Sequence, residues 1–208
     1  MPTVLRLHRR QVAVRLIALC IVTLALPAAC ASETEPPPTT QPARILAAPA
    51  PASQGATAGD GIVGSSVGSI APDFQVRLID GSSVTSAALR KEGRPVFLFF
   101  FATWCPVCRS ELRRMKDIYP EFADQVDFYM VGQDLSETLE EMERYRIQRG
   151  YPWPAAQPPR SMLLDLKVLQ QSTKVAINAQ GMITYRDGYR GGTDTVWRTV
   201  FQELASNE

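Results

Sequence analysis

Histidine is almost missing from this sequence. The single one, His8, lies near the start, and only four cysteines accompany it in 208 residues. A structural zinc site needs about four nitrogen or sulfur donors, so no metal site is expected. Charge of one sign is lacking as well, with 22 basic side chains facing 21 acidic ones. Residues 1–29 contain Arg6, Arg9, Arg10 and Arg15 and no acid, which leaves 18 basic against 21 acidic residues in the remainder. Such a balance offers no basic face for nucleic acid, and none is expected as a partner. Long apolar runs are also absent. The run from Leu16 to Leu26 has eleven residues, against the roughly 20 that a membrane-spanning helix requires.

That run suits a different role. Four arginines precede it and Pro27-Ala28-Ala29-Cys30 follows, giving the charged, apolar and small-residue parts of an export signal. Residues 1–30 are therefore read as a signal peptide. Cys30 after two alanines resembles the box at which a lipoprotein is cleaved and lipidated, except that Pro27 stands where leucine is usual. Lipidation at Cys30 would anchor the chain to a membrane of the cell envelope. Cleavage after Ala31, or an uncleaved anchor, stays open. Residues 31–61 carry Pro36, Pro37, Pro38, Pro42, Pro49 and Pro51 among small and polar residues. A stretch of this kind cannot bury enough apolar surface to offset its ordering entropy, and it is expected to be a disordered tether. Residues 62–208 remain, enough for one domain with one core. If Cys20 leaves with the leader and Cys30 takes the lipid, Cys105 and Cys108 are left as a pair, with no odd thiol in an oxidising compartment.

The stretch from Val96 to Cys108 organises that domain. Val96 to Phe101 is six apolar residues in a row, which suits a strand buried on both faces. Trp104-Cys105-Pro106-Val107-Cys108 follows, and then Leu112, Met115, Tyr119 and Phe122 recur at helical spacing. Val126 to Val131 reads as the next strand. The result is a βαβ unit with two thiols at the carboxyl end of its first strand, where open α/β sheets place their chemistry. At the helix start, Cys105 meets unpaired N–H groups and the positive end of the helix dipole, which favour a thiolate. Pro106 fits the first helical position, because its missing N–H would have no intrahelical partner there. A redox dithiol working through the Cys105–Cys108 disulfide, without any other cofactor, is the expected chemistry. A fixed structural disulfide and half of a metal site are the competing readings.

Elsewhere the pattern is legible in pieces. Phe74 to Ile79 alternates like a half-buried strand, and Asp80-Gly81 turns it into a second strand near Ser83 to Thr85. A helical turn is expected over Ser86 to Lys91. Ser136 is expected to cap a helix reaching Arg149, with Glu140 and Arg144 paired on its solvated face. Tyr151-Pro152-Trp153-Pro154 is irregular, and its aromatics belong either to the core or to a substrate-side rim. A short helix over Met162 to Gln170, a hairpin of Lys174 to Ile177 with Met182 to Arg186, and a final helix burying Val196, Trp197, Val200, Phe201 and Leu204 complete the chain. Gly188, Gly191 and Gly192 are expected to loosen the approach to that last helix.

Phe101-Ala102-Thr103-Trp104-Cys105-Pro106-Val107-Cys108-Arg109-Ser110-Glu111-Leu112 resembles the active-site region of thioredoxin-like proteins, specifically the exported TlpA/ResA-like thiol–disulfide oxidoreductases. Ala71-Pro72-Asp73-Phe74 and Asp80-Gly81 match the family's N-terminal part, and the likeness runs from about Gly68 to the C-terminus. The resemblance implies an α/β thioredoxin-like fold, with a central mixed sheet flanked by helices and an N-terminal β-hairpin extension. It implies Cys105 as nucleophile, Cys108 as resolving thiol and Trp104 and Pro106 at the substrate rim. Partners would be protein thiols and disulfides, with a membrane electron donor supplying a reductase. Three positions test it. Phe99 occupies the place of a buried Asp or Asn. Glu111 matches a Glu that serves the second cysteine, the alternative being a surface Glu paired with Arg114. Ser172, followed by Thr173, stands in place of the cis-proline that faces the dithiol and pairs with substrate; a cis bond there would cost about 3 kcal/mol, so Ser172 is expected to be trans, its hydroxyl free for a thiolate or a partner's backbone. Two rival functions are a thiol peroxidase and a non-catalytic lipoprotein with a fixed CxxC staple. The peroxidase pattern wants a Thr three residues before its cysteine and a Pro four before that. Ala102 and Leu98 hold those places for Cys105, and Cys105 and Phe101 hold them for Cys108.

Overall fold

Six consecutive apolar side chains on one strand need cover on both sides, because neighbouring side chains of a strand point to opposite faces. A computed structural model describes residues 61–206 of the chain and shows how that cover is supplied. The expected signal peptide with Cys30, and all but the last residue of the expected Pro-rich tether, lie outside the described residues. The elements, in chain order, are β1 (Gln75–Leu78), β2 (Ser83–Thr85), α1 (Ser86–Glu92), β3 (Val96–Phe101), α2 (Pro106–Ile118), β4 (Asp127–Gly132), α3 (Leu139–Arg149), β5 (Ala155–Gln157), α4 (Arg160–Asp165), β6 (Thr173–Ile177), β7 (Ile183–Asp187) and α5 (Asp194–Ala205). A short 3-10 turn, Tyr119–Glu121, follows α2.

The strands form one seven-stranded sheet in the order β2-β1-β5-β4-β3-β6-β7. β3 runs parallel to β4, and β4 parallel to β5, while the outer pairings are antiparallel, so the sheet is mixed. Phe97, Phe99 and Phe101 face one side of β3, where they meet Leu112 and Met115 of α2, Met142 of α3 and Trp197 and Phe201 of α5. Val96, Leu98 and Phe100 face the other, against Leu89 of α1 and Met162 and Leu163 of α4. Helices therefore lie on both faces of β3, an inner strand of the sheet. The β1–β2 hairpin continues one edge of the sheet, in agreement with the expected N-terminal extension.

Several local readings change. Thr138, not Ser136, caps α3: its hydroxyl accepts the Glu141 N–H while the Glu141 carboxylate accepts from the Thr138 N–H. Ser136 instead folds onto Asp134, donating through both its N–H and its hydroxyl. On the flank of α3 the ion pair that forms is Glu143–Arg146, at 2.7 Å. Helix α4 ends at Asp165, and the following Lys167 adopts φ 49°, which ends helical continuation well before Gln170. Val196 is exposed on α5, while Trp197, Val200, Phe201 and Leu204 are buried as expected. Tyr151 and Trp153 belong to the core and not to a rim. Trp153 is 1% exposed and stacks on Phe128 with ring centroids 4.0 Å apart.

Candidate active site

Helix α2 begins where β3 has just ended, and the turn between them is pinned from outside. The Thr103 N–H donates to both carboxylate oxygens of Glu137, at 3.0 and 3.1 Å, and its hydroxyl donates to the same group. The Cys105 N–H donates to the Ala102 carbonyl at 3.1 Å. Cys105 is the N-cap of α2 and Pro106 its first residue, as the sequence predicts. The Cys105 sulfur accepts the Cys108 N–H at 3.1 Å, so a sulfur occupies the position where a capping oxygen would sit. Cys105 and Cys108 are joined as a disulfide, with Cα atoms 5.3 Å apart, inside the range that ordinary disulfides span. Trp104 stands out beside them, 58% exposed, its indole N–H donating to Asp134 at 2.9 Å. Hydrogen bonds from Ser136 and then Trp104 hold the Asp134 carboxyl below the usual carboxylate range.

Behind the dithiol lies a buried polar cluster. Glu111 is one turn past Cys108 on α2 and only 2% exposed. Arg114, its expected surface partner, pairs with Asp194 instead, at 3.3 Å. The Glu111 carboxylate accepts from the Ser172 hydroxyl and from the Lys174 ammonium, the latter at 3.1 and 3.3 Å. Burial pushes the Glu111 carboxyl up from its ordinary value, while Ser172 and Lys174 pull against that shift. Gly191 closes the other side. A Cβ built there would lie 2.8 Å from Glu111 Oε1, and one at Gly192 would lie 2.9 Å from the Trp197 ring. These glycines let the backbone approach the cluster closely, so their role is packing and not looseness.

Ser172 is trans, as expected, since the described residues contain no cis peptide bond. It adopts φ 62°, a region L-residues seldom visit, and its N–H donates to the Phe100 carbonyl at 2.7 Å. The hydroxyl expected to meet a thiolate or a partner is committed to Glu111. The Thr173 hydroxyl likewise turns inward, donating to the Gln170 carbonyl at 2.8 Å. Ser172 and Thr173 are buried, at 0% and 4% exposure, and the Ser172 N–H is taken by Phe100, so in the disulfide form neither presents a surface to a substrate. A test follows from this geometry. Ser172→Pro would need φ near −65° and would lose the bond to Phe100. It is expected to destabilise the protein by at least about 2 kcal/mol, read as a lowered urea midpoint, whereas Ser172→Gly keeps the backbone and shifts the midpoint far less.

Lys174 escaped the sequence reading, which took it only as the first residue of a strand. It pairs in register with Phe99 across β3–β6 and is fully buried, its ammonium 5.4 Å from the Trp197 ring and 5.8 Å from the Phe99 ring. Strand alternation was the available signal. Lys174 shares a face with Ala176, which packs on the α2 and α5 side.

A mixed sheet flanked by helices, with a CxxC pair opening the helix after an inner strand, defines the thioredoxin-like class of thiol–disulfide oxidoreductases. Comparison with known proteins agrees. The model of the AhpC/TSA family matches residues 67–187, and the chain belongs to that family. The thiol–disulfide oxidoreductase ResA of Oceanobacillus iheyensis is 41% identical over 123 residues, covering 56% of this chain and 62% of that protein. The thioredoxin-like protein YneN of Bacillus subtilis is 28% identical over 122 residues, covering 58% of this chain and 71% of its own length. With ResA of Bacillus anthracis the match spans 50% of the relative. Among solved structures, a candidate protein disulfide isomerase from Bacteroides thetaiotaomicron superposes with a TM-score of 0.58 at 27% identity, covering 68% of this chain and 91% of that one. The thioredoxin domain of an oxidoreductase from Bacteroides vulgatus shares the fold, with a TM-score of 0.57 at 21% identity over 67% of this chain and 98% of its own.

Proposed function

We propose that this chain is a reductase of protein disulfides that works outside the cytoplasm, with Cys105 as nucleophile and Cys108 as resolving thiol. One observation carries the reading: two cysteines open a helix, and a buried carboxylate sits one turn behind the second. In the reduced protein the N-terminal end of α2 favours a thiolate at Cys105. That thiolate attacks a disulfide of a partner protein, forming a Cys105–partner bond and expelling one partner thiolate. Cys108 then gives up its proton and attacks the Cys105 sulfur. The second partner sulfur leaves, two electrons have passed to the partner, and Cys105–Cys108 remains oxidised. Trp104 and Pro106, exposed beside the dithiol, form the rim against which the partner rests. The predicted leader and Cys30 support export and lipid anchoring in the cell envelope, where a membrane electron donor would regenerate the dithiol.

The test is stoichiometric. Reduced chain, freed of excess reductant, is mixed with a disulfide-bearing protein, and one disulfide should open per chain. Peroxide should not be consumed. Rapid peroxide turnover without any protein disulfide would identify a thiol peroxidase, and a Cys105–Cys108 bond that resists every dithiol reductant in the native protein would identify a structural staple. Either result overturns the proposal.

A further inference from the structure

A lysine with no solvent exposure in the middle of a hydrophobic sheet is costly unless its charge is matched. Around Lys174 the match is complete. An ammonium has three N–H donors, and three kinds of acceptor surround this one: the Glu111 carboxylate, the Gly188 carbonyl and the Arg190 carbonyl, the last two each at 2.8 Å. Asp187 Oδ2, half exposed, lies 3.8 Å away on the solvent side. A neutral amine would leave one of these acceptors without a donor, so the geometry suits the charged form. Glu111 in turn receives hydrogen bonds from Ser172 and Lys174 and stands three residues from Cys108 on the same helix, a spacing that brings side chains to neighbouring positions.

We propose that Lys174 is a positioning residue of the exchange reaction: its buried ammonium holds Glu111 as a carboxylate beside Cys108, ready to take the proton that Cys108 must lose. The inference rests on the thiol–disulfide exchange set out above. In the step concerned the Cys108 S–H bond breaks, its proton passes to Glu111, and the Cys108 sulfur pair forms the bond to Cys105 while the bond from Cys105 to the partner breaks. No other oxidant or reductant is needed. Lys174 of β6 bonds Glu111, Asp187 and Tyr185 of β7 act on it through charge, and Cys108 stands three residues before it on α2. Helix α5 contributes the Trp197 ring. Of these only Lys174 supplies positive charge. Burial already pushes the Glu111 carboxyl upward; without Lys174 less opposes that push, the protonated form gains, and Cys108 is left with a poorer acceptor at neutral pH.

The experiment separates the two thiols with a small aromatic disulfide that releases a coloured thiol at each step. Cys105 attack gives the first release and Cys108 resolution the second. In Lys174→Met the second phase should slow at least about tenfold at pH 7, with its acidic limb moved to higher pH by a unit or more, while the first phase is little changed. Lys174→Gln, which keeps donors but not charge, should behave like Lys174→Met. In a Glu111→Gln background either change should add nothing, since Lys174 then has no carboxylate to act through. Equal slowing of both phases, an unmoved limb, or full additivity with Glu111→Gln would overturn the inference, as would a protonated Glu111 carboxyl at pH 7 in reduced wild-type protein, read by isotope-edited NMR if the variants do not fold. Failure of the wild-type protein to react in either phase would instead sink the exchange chemistry itself.

Discussion

Cys108→Ser is expected to stop the reaction at its midpoint, leaving the chain covalently joined to its partner. The reason lies in the different surroundings of the two sulfurs. Cys105 caps α2, where its sulfur already accepts an N–H and where the helix dipole favours negative charge. Both sulfurs are shielded in the disulfide, Cys105 at 1% and Cys108 at 0% exposure, so burial does not set them apart; Cys108 lies one turn further into the helix, three residues before Glu111. Removal of Cys108 leaves the attacking thiolate intact and deletes the only neighbouring sulfur among the described residues that can expel the partner. The mixed disulfide should then persist on non-reducing gels, and mass spectrometry of the adduct names the partner. Cys105→Ser should give no adduct and lose at least about a thousandfold in reductase rate, because a serine hydroxyl is not ionised near neutral pH and the Glu111 carboxylate is engaged by Ser172 and Lys174 behind position 108 rather than set to activate one at 105. Equal trapping by the two variants would reverse the assignment of nucleophile and resolver.

Much of this site could be read from the chain before any coordinates, and the reason is local. Val96–Phe101, the Trp104–Cys108 motif and the stripe on α2 are contiguous, and each announces itself by composition and period. What stayed hidden depends on contacts between distant segments. β5 is three residues, two of them alanines, between Pro154 and Pro158. Nothing in its propensity suggests a strand, and it exists because β1 and β4 need a partner between them. Lys174 looked like the polar end of a strand until the register with Phe99 and the approach of the Gly188–Gly191 loop enclosed it. Ser172 was rightly expected to be trans, but its hydroxyl turned to a carboxylate 61 positions away, which no spacing rule anticipates. Thr138 and Ser136 competed for the same cap, and the winner had a glutamate three residues on.

Trp153 and Trp104 give the sharpest contrast between packing and surface, and their replacement by alanine should separate stability from function. Trp153 stacks on Phe128 at 4.0 Å, meets Tyr119 edge-on at 5.5 Å and lies 5.9 Å from Tyr151. These rings join Phe201 and Phe122 in a cluster between α2, α5 and the sheet. Truncation to alanine removes the transfer energy of a whole indole and leaves a cavity that fixed strands cannot close, a loss of about 3–5 kcal/mol. For a domain of this size the melting temperature should fall by roughly 10 °C, while any protein that remains folded keeps its exchange rate. Trp153→Phe retains a stacked ring and should lose much less. Trp104→Ala should do the opposite. Its ring is more than half exposed and held only through Asp134, so the melting temperature should barely move, whereas the KM for a protein disulfide should rise with little change toward a small aromatic disulfide that needs no rim. A Trp153→Ala protein of normal stability with a raised KM would return Trp153 to the rim and require the aromatic cluster to be open to partners.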